Sequence, residues 1–89
     1  MERVTGPVNG YYIVTYACPV GEHGDMYVGY GRVCAAKPAS FWEATAVAEV
    51  VENYPVRTSD AAHWGAFFDA VRRVPVQERL GVRHELVTQ

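Results

Sequence analysis

The sequence predicts a single small α+β domain over residues 1–89, in which a β-hairpin, two helices and a third strand follow in the order β-β-α-α-β. Three observations predict this fold class. Two runs rich in aromatic and β-branched residues, 11–18 and 26–34, flank a loop containing proline and glycine, which is typical of a hairpin. Apolar residues then recur at helical spacing in two later segments. A chain of 89 residues with 49% hydrophobic content is long enough for one core and too short for two.

The predicted hairpin contains five of the six tyrosines, between Tyr11 and Tyr30. We place its turn near Glu22, after an irregular lead-in over residues 1–9, and strand alternation then assigns the side chains to two faces. We expect both helices to pack on one face of this small antiparallel sheet. The residues of this expected core face are Tyr12, Val14, Tyr16, Cys18, Met26, Val28 and Tyr30. The opposite face consists of Ile13, Thr15, Tyr27, Gly29 and Gly31. The two glycines predict a flat strip that a backbone, a helix or a ligand approaches closely.

The two cysteines are predicted to remain reduced thiols. In this register Cys18 lies beside the loop opposite Met26, and Cys34 lies at the far end of the hairpin near Gly10. Eight residues of strand separate them by roughly 26 Å, whereas a disulfide requires Cα atoms within roughly 7 Å. We therefore expect no disulfide.

The first helix is predicted to begin at Ser40 and to run to about Asn53. Ser40 and Glu43 match a capping box, in which each side chain bonds the backbone N–H of the other residue. Pro55 bars continuation of the helix. The apolar residues at helical spacing are Phe41, Ala44, Val47, Ala48, Val51 and Tyr54.

A second helix is predicted to follow, with Thr58, Ser59 or Asp60 as its N-cap. Its apolar stripe consists of Trp64, Phe67, Phe68 and Val71, and it ends before Pro75. Alternation over residues 82–88 then predicts a third strand, which would pair with a hairpin edge in the same chain or in a second copy.

Composition argues against several functional classes. Eight Lys and Arg against ten Asp and Glu give a net charge of −2, so a nucleic-acid partner is not expected. The chain shows neither a secretory signal nor an apolar run long enough to span a membrane, and we expect a cytoplasmic protein. Cys18, His23 and Asp25 carry ligand atoms that zinc accepts, but their spacing is not typical of a metal site. We therefore expect no metal and no cofactor.

The function predicted from these features is that of a small non-enzymatic protein-protein interaction or regulatory module that acts as a homodimer. Tyrosine and tryptophan favour protein interfaces because they bury a large area and keep a polar group. The expected contact surface, without catalytic residues, consists of Tyr11, Tyr27, Gly29, Gly31 and Trp42. The alternative is a small-molecule-binding protein or minor enzyme. Its pocket, between sheet and helices, would be lined by Tyr12, Tyr16, Tyr30, His63 and Trp64.

Overall fold

The computed structural model describes residues 2–75, which form a four-stranded antiparallel sheet and one α-helix. The elements are β1 (Glu2–Val8), β2 (Tyr11–Val20), β3 (Met26–Cys34), β4 (Ala46–Val51) and α1 (Ser59–Val71). In space the strands keep their sequence order, β1-β2-β3-β4, so every strand lies beside its neighbour in the chain. Within residues 2–75 the fold is thus α+β, with one helix rather than the two predicted and with the order β-β-β-β-α.

The predicted hairpin corresponds to β2 and β3, with a register two residues from the expected one. Cys18 pairs with Val28 rather than with Met26, and Tyr12 pairs with Cys34. A shift of two residues leaves each side chain on its predicted side, because strand side chains alternate with a period of two. Both cysteines are free.

The first predicted helix is wrong, because its C-terminal half is strand β4. One of the two hydrogen bonds of the predicted capping box does form, since the Glu43 backbone N–H donates to Ser40 Oγ at 3.2 Å. The segment 46–51 is rich in valine, however, and its apolar residues also fit a strand pattern. Pairing with the free edge of β3, as in Val33 with Ala48, stabilises this segment as a strand through contacts with its neighbour. A short helix without tertiary packing would be only marginally stable.

The irregular lead-in is also wrong, because residues 2–8 form the edge strand β1. Thr5 pairs with Ile13, and a register shift between Thr5 and Val8 marks a bulge near the end of the strand. The second predicted helix corresponds to α1, and Thr58 caps it by accepting from the Ala61 backbone N–H. The strand predicted at 82–88 lies outside the described residues.

Helix α1 packs on the face of the sheet that carries the glycines, which corrects the predicted core face. We call this side, with Ile13, Thr15, Gly29, Gly31 and Val33, the covered face. A Cβ atom on Gly29 would lie 2.2 Å from the Ala62 carbonyl oxygen, so the helix backbone nearly touches the strand. The helix contributes Ala62, Ala66 and Ala70 to this contact. A flat strip of glycine therefore receives a helix face of small residues, and bulky tyrosines could not take that position.

The opposite side carries the residues that sequence analysis assigned to the core. We call this side, with Tyr16, Cys18, Val28, Tyr30 and Val51, the open face. Among residues 2–75, the cover of this face lies near one end, where Phe41 packs with Val14 and Cys34. Phe41 belongs to residues 40–44, which we call the Phe41 turn, in the connection between β3 and β4.

Candidate functional site

The open face is apolar, although helix α1 does not cover it. Antiparallel sheets with one solvated face usually alternate between apolar and polar residues. On β2, β3 and β4 the charged residues of this face are Arg32 and Glu49, and their side chains lie 3.6 Å apart. The remaining positions are aromatic, aliphatic, Met or Cys. This face therefore has the composition of a surface that is covered by another layer.

Arg32 fixes the Phe41 turn to the sheet. Its guanidinium donates to the Phe41 carbonyl oxygen at 2.8 Å and reaches the Ala44 carbonyl oxygen at 3.4 Å. The same group lies 4.5 Å from the centre of the Phe41 ring, within cation-π range. From the other side, Glu2 Oε1 accepts the Phe41 backbone N–H at 2.8 Å. The turn is thus held by β3 and by β1 together.

These contacts present a cluster of aromatic rings at the end of the open face. Trp42 is 66% exposed, and its ring centre lies 5.1 Å from Tyr16 and 5.0 Å from Phe41, both in edge-to-face geometry. Tyr30 meets Phe41 at 6.5 Å on the other side. A groove of about 410 Å³ runs from this cluster along Arg32 to Val51. The rings are already packed together, so a partner would meet an ordered surface.

Of the predicted contact residues, Trp42 is the one that is exposed on the open face. Gly29 and Gly31 are buried beneath α1, so a partner protein cannot contact them, and this part of the expected surface is wrong. Tyr11 and Tyr27 are half-buried on the covered face, and their contact with a partner stays a prediction. Tyr16 and Tyr30 were not predicted at this surface, because strand alternation placed both of them in the expected core. The period-two alternation at 46–51 was the available signal that this segment is a strand and not the helix predicted there.

The alternative pocket is not formed as predicted. Tyr12, Tyr16 and Tyr30 lie on the open face, whereas His63 and Trp64 belong to α1 on the other side of the sheet. His63 and Trp64 instead line a separate cavity between α1 and β1.

A second group of exposed aromatic rings lies on the outer side of α1. Trp64 is 50% exposed and stacks on Phe68 at 5.4 Å, and Phe67 meets both rings at 5.8 Å. Both tryptophans of the chain are therefore at least half exposed. This is unusual, because tryptophan is highly buried on average.

The ionisable groups near the open face do not favour nucleophilic chemistry. Burial raises the pKa of the Cys34 thiol, and the positive charge of Arg32 only partly opposes this effect. The reactive form of cysteine is the thiolate, which a raised pKa disfavours. Among residues 2–75, no three His, Cys, Asp or Glu side chains are grouped closely enough to hold a metal ion.

No family model matches the chain, and no curated protein or solved structure matches it either. Within the described part, the chain has no helix of the length and apolar character needed to cross a membrane.

Proposed function

We propose that this protein is a small non-enzymatic interaction module that forms a homodimer through the open face and Trp42. The observation that carries the proposal is an apolar sheet face that α1 leaves uncovered, with ordered aromatic rings at one end. Tryptophan and tyrosine are the residues most often found as energetic centres of protein interfaces. Both cysteines are free, which supports the expectation of a reducing, cytoplasmic setting.

The small size of the buried side chains supports a need for further burial. The buried apolar residues that helix α1 itself contributes are alanines, and two of them lie against the strand glycines, so the helix adds only small side chains to the core. Within residues 2–75, Phe41 is the single Phe, Tyr or Trp among the buried residues. Small domains with modest cores commonly gain stability from oligomerisation. A dimer through the open face would bury Trp42 and Val51, which are 66% and 58% exposed in one chain.

A second copy of the chain is the partner whose charge fits. Arg32 and Glu49 neutralise each other at 3.6 Å, so two open faces approach without repulsion between like charges. Most soluble oligomers are homodimers in which the same patch of each copy meets across a two-fold axis. Two sheets would then stack face to face at about 10 Å, with side chains of both inner faces in contact.

The two exposed tryptophans provide a matched test by sedimentation equilibrium. We expect the wild-type protein to have twice the mass of one chain, and Trp42→Ala to shift it to the monomer. Val28→Lys, which places a charge on the open face, should do the same. Trp64→Ala removes an equally large exposed ring on α1 and should leave the dimer intact. Circular dichroism of each variant reports whether it remains folded.

Two results would contradict the proposal. A wild-type protein that remains monomeric at every accessible concentration would exclude the homodimer. Dissociation by Trp64→Ala together with a dimeric Trp42→Ala variant would move the interface to the outer side of α1. A heteromeric partner that binds the wild-type monomer and not Trp42→Ala would retain the surface but replace the second copy.

A further inference from the structure

A separate cavity lies on the covered face, between helix α1 and the edge strand β1. Its volume is about 280 Å³, just below the range of roughly 300 to 1,000 Å³ that is typical of ligand sites. The cavity is lined by Arg3, Thr5, Thr15, His63, Trp64 and Phe67. It is on the opposite side of the sheet from the proposed dimer surface. An experiment that excludes one of the two sites therefore does not exclude the other.

His63 lines this cavity and has an incomplete set of hydrogen bonds. The side chain is 1% exposed, and its Nδ1 lies 2.7 Å from Thr15 Oγ1. Its Nε2 is buried and has no hydrogen-bond partner among residues 2–75. Buried polar atoms in folded proteins nearly always have a partner, so an orphaned ring nitrogen beside a cavity indicates a missing one.

The hydrogen bond with Thr15 is compatible with either tautomer of His63. We assign the one in which the Thr15 hydroxyl donates and Nδ1 accepts, because within the described chain that hydroxyl has no other acceptor. The ring proton then resides on Nε2, which becomes a free donor. Burial lowers the pKa of His63, and the positive charge of Arg3 adds to this effect, while Asp60 opposes it. The imidazole is therefore neutral and offers one N–H.

The other polar groups of the cavity can also donate. Arg3 binds Asp60 through one nitrogen at 2.8 Å, which leaves its remaining N–H groups for a second acceptor. The Thr5 hydroxyl adds a donor on the same strand. The walls are aromatic, since Trp64 and Phe67 meet edge to face with ring centres 5.8 Å apart. A flat ring that carries acceptor oxygens matches both features.

We infer that this cavity binds a small aromatic carboxylate. The carboxylate accepts hydrogen bonds from His63 Nε2 and Arg3, and the ring packs against Trp64 and Phe67. One carboxylate oxygen completes the hydrogen bonding of His63, and the anion shares Arg3 with Asp60. The volume accommodates one or two fused rings and excludes larger cofactors.

Benzoate is a suitable probe, with benzamide as its uncharged isostere and cyclohexanecarboxylate as its non-aromatic analogue. We expect benzoate to bind with a dissociation constant of about 1 mM or tighter by titration calorimetry. Benzamide and cyclohexanecarboxylate should each bind about tenfold more weakly. In NMR spectra, benzoate should shift the indole N–H of Trp64 and the Nε2 resonance of His63, and leave the indole of Trp42 unchanged.

Arg3→Gln and Arg57→Gln form a matched pair of surface variants. Both remove one positive charge, and Arg57 is exposed and does not line the cavity. Arg3→Gln should weaken benzoate binding about tenfold, whereas Arg57→Gln should change it by less than about twofold. The inference would be overturned by equal binding of benzoate and benzamide, by equal affinity of the two variants, or by shifts at Trp42 rather than at Trp64. An absence of saturable shifts at benzoate concentrations about ten times the expected constant would also overturn it.

Discussion

On the covered face, the backbone of α1 lies almost against β3, because Gly29 and Gly31 leave no side chains between them. On the open face, Tyr16 of β2 and Tyr30 of β3 both contact the ring of Phe41. The first contact is close and made of small groups. The second is wide and made of large ones. Adjacent residues of one strand thus belong to two different kinds of packing, since side chains alternate between faces.

This difference separates the parts of the molecule that set its shape from those available to a partner. Close contact between α1 and β3 fixes the position of the helix, and the buried apolar side chains that the helix contributes are small. The large side chains therefore remain at the surface, as Trp42 on the open face and as Trp64 and Phe68 on α1. In a small protein such a distribution is favourable when a partner covers one of these surfaces.

The largest effect is expected from Gly29→Ala, which tests the close contact on the covered face. The new Cβ would meet the Ala62 carbonyl oxygen at 2.2 Å, so helix and strand must separate. We expect a loss of about 3 kcal/mol in the free energy of unfolding, at the upper end of typical overpacking costs. Urea unfolding followed by circular dichroism measures it.

Gly65→Ala is the control for this substitution. Its Cβ would face only the flexible carboxylate of Glu52 at 3.1 Å, and alanine favours a helix interior by about 1 kcal/mol over glycine. This variant should be as stable as wild type or slightly more stable. Equal destabilisation by the two substitutions would show that α1 does not depend on the glycine strip.

The contrast between the two faces also explains which parts of the structure the sequence predicts. Helix α1 was predictable because its signals are local: Thr58 caps it, and its apolar stripe has helical spacing. The segment 46–51 was not, since its apolar residues fit both periods and pairing with β3 decides between them. Which face of the sheet becomes the core likewise depends on the helix that packs on it. The contact residues of α1 are small, so the helix packs closely on the face that carries the two glycines. Trp42 was predicted at the surface, whereas its neighbours Tyr16 and Tyr30 were not.

On the open face, Arg32→Met tests whether one side chain holds the Phe41 turn. The substitution removes the charged donor to the Phe41 and Ala44 carbonyls and the cation-π contact. We expect a loss of about 2 kcal/mol, typical of hydrogen bonds to charged groups. On a Trp64→Phe background, in which Trp42 is the remaining tryptophan, we also expect greater mobility of the Trp42 indole in fluorescence anisotropy. The exposed Arg57→Met variant should change neither quantity. Unchanged anisotropy in Arg32→Met would mean that the aromatic rings hold the turn without Arg32.

A smaller effect is expected from Thr15→Val, which removes the polar contact of the covered face. Nδ1 of buried His63 would lose its donor, and we expect a loss of about 1.5 kcal/mol in urea unfolding. Thr15→Ser keeps the hydroxyl and should retain the hydrogen bond, as the Nδ1 resonance of His63 would report. If Thr15→Val is as stable as wild type, the hydroxyl does not set the tautomer of His63.

The smallest effect concerns pH, at the point where α1 meets the residue after β4. The hydrogen bond to Asp69 is the largest cause that raises the pKa of Glu52, from its ordinary 4.5 to about 7, followed by burial and the charge of Asp69. Arg72 and Arg73 oppose this rise. The same hydrogen bond lowers the pKa of Asp69 below its ordinary value of 3.8. The pair therefore holds one proton between these two carboxyl groups in mildly acidic solution.

The sign of the pH effect follows from the raised pKa of Glu52. Its stabilising contribution is complete below pH 4.5 and is lost as the pH rises to about 7. The lowered pKa of His63 acts in the opposite direction around its ordinary value of 6.5, so the informative quantity is the difference between variants. Glu52→Gln donates to Asp69 at every pH, and its urea midpoint should rise relative to wild type between pH 5 and pH 8. Glu43 is an exposed residue of the Phe41 turn, and the urea midpoint of Glu43→Gln should equal that of wild type at every pH. A parallel rise of the midpoint in that variant would assign the effect to net charge rather than to the shared proton.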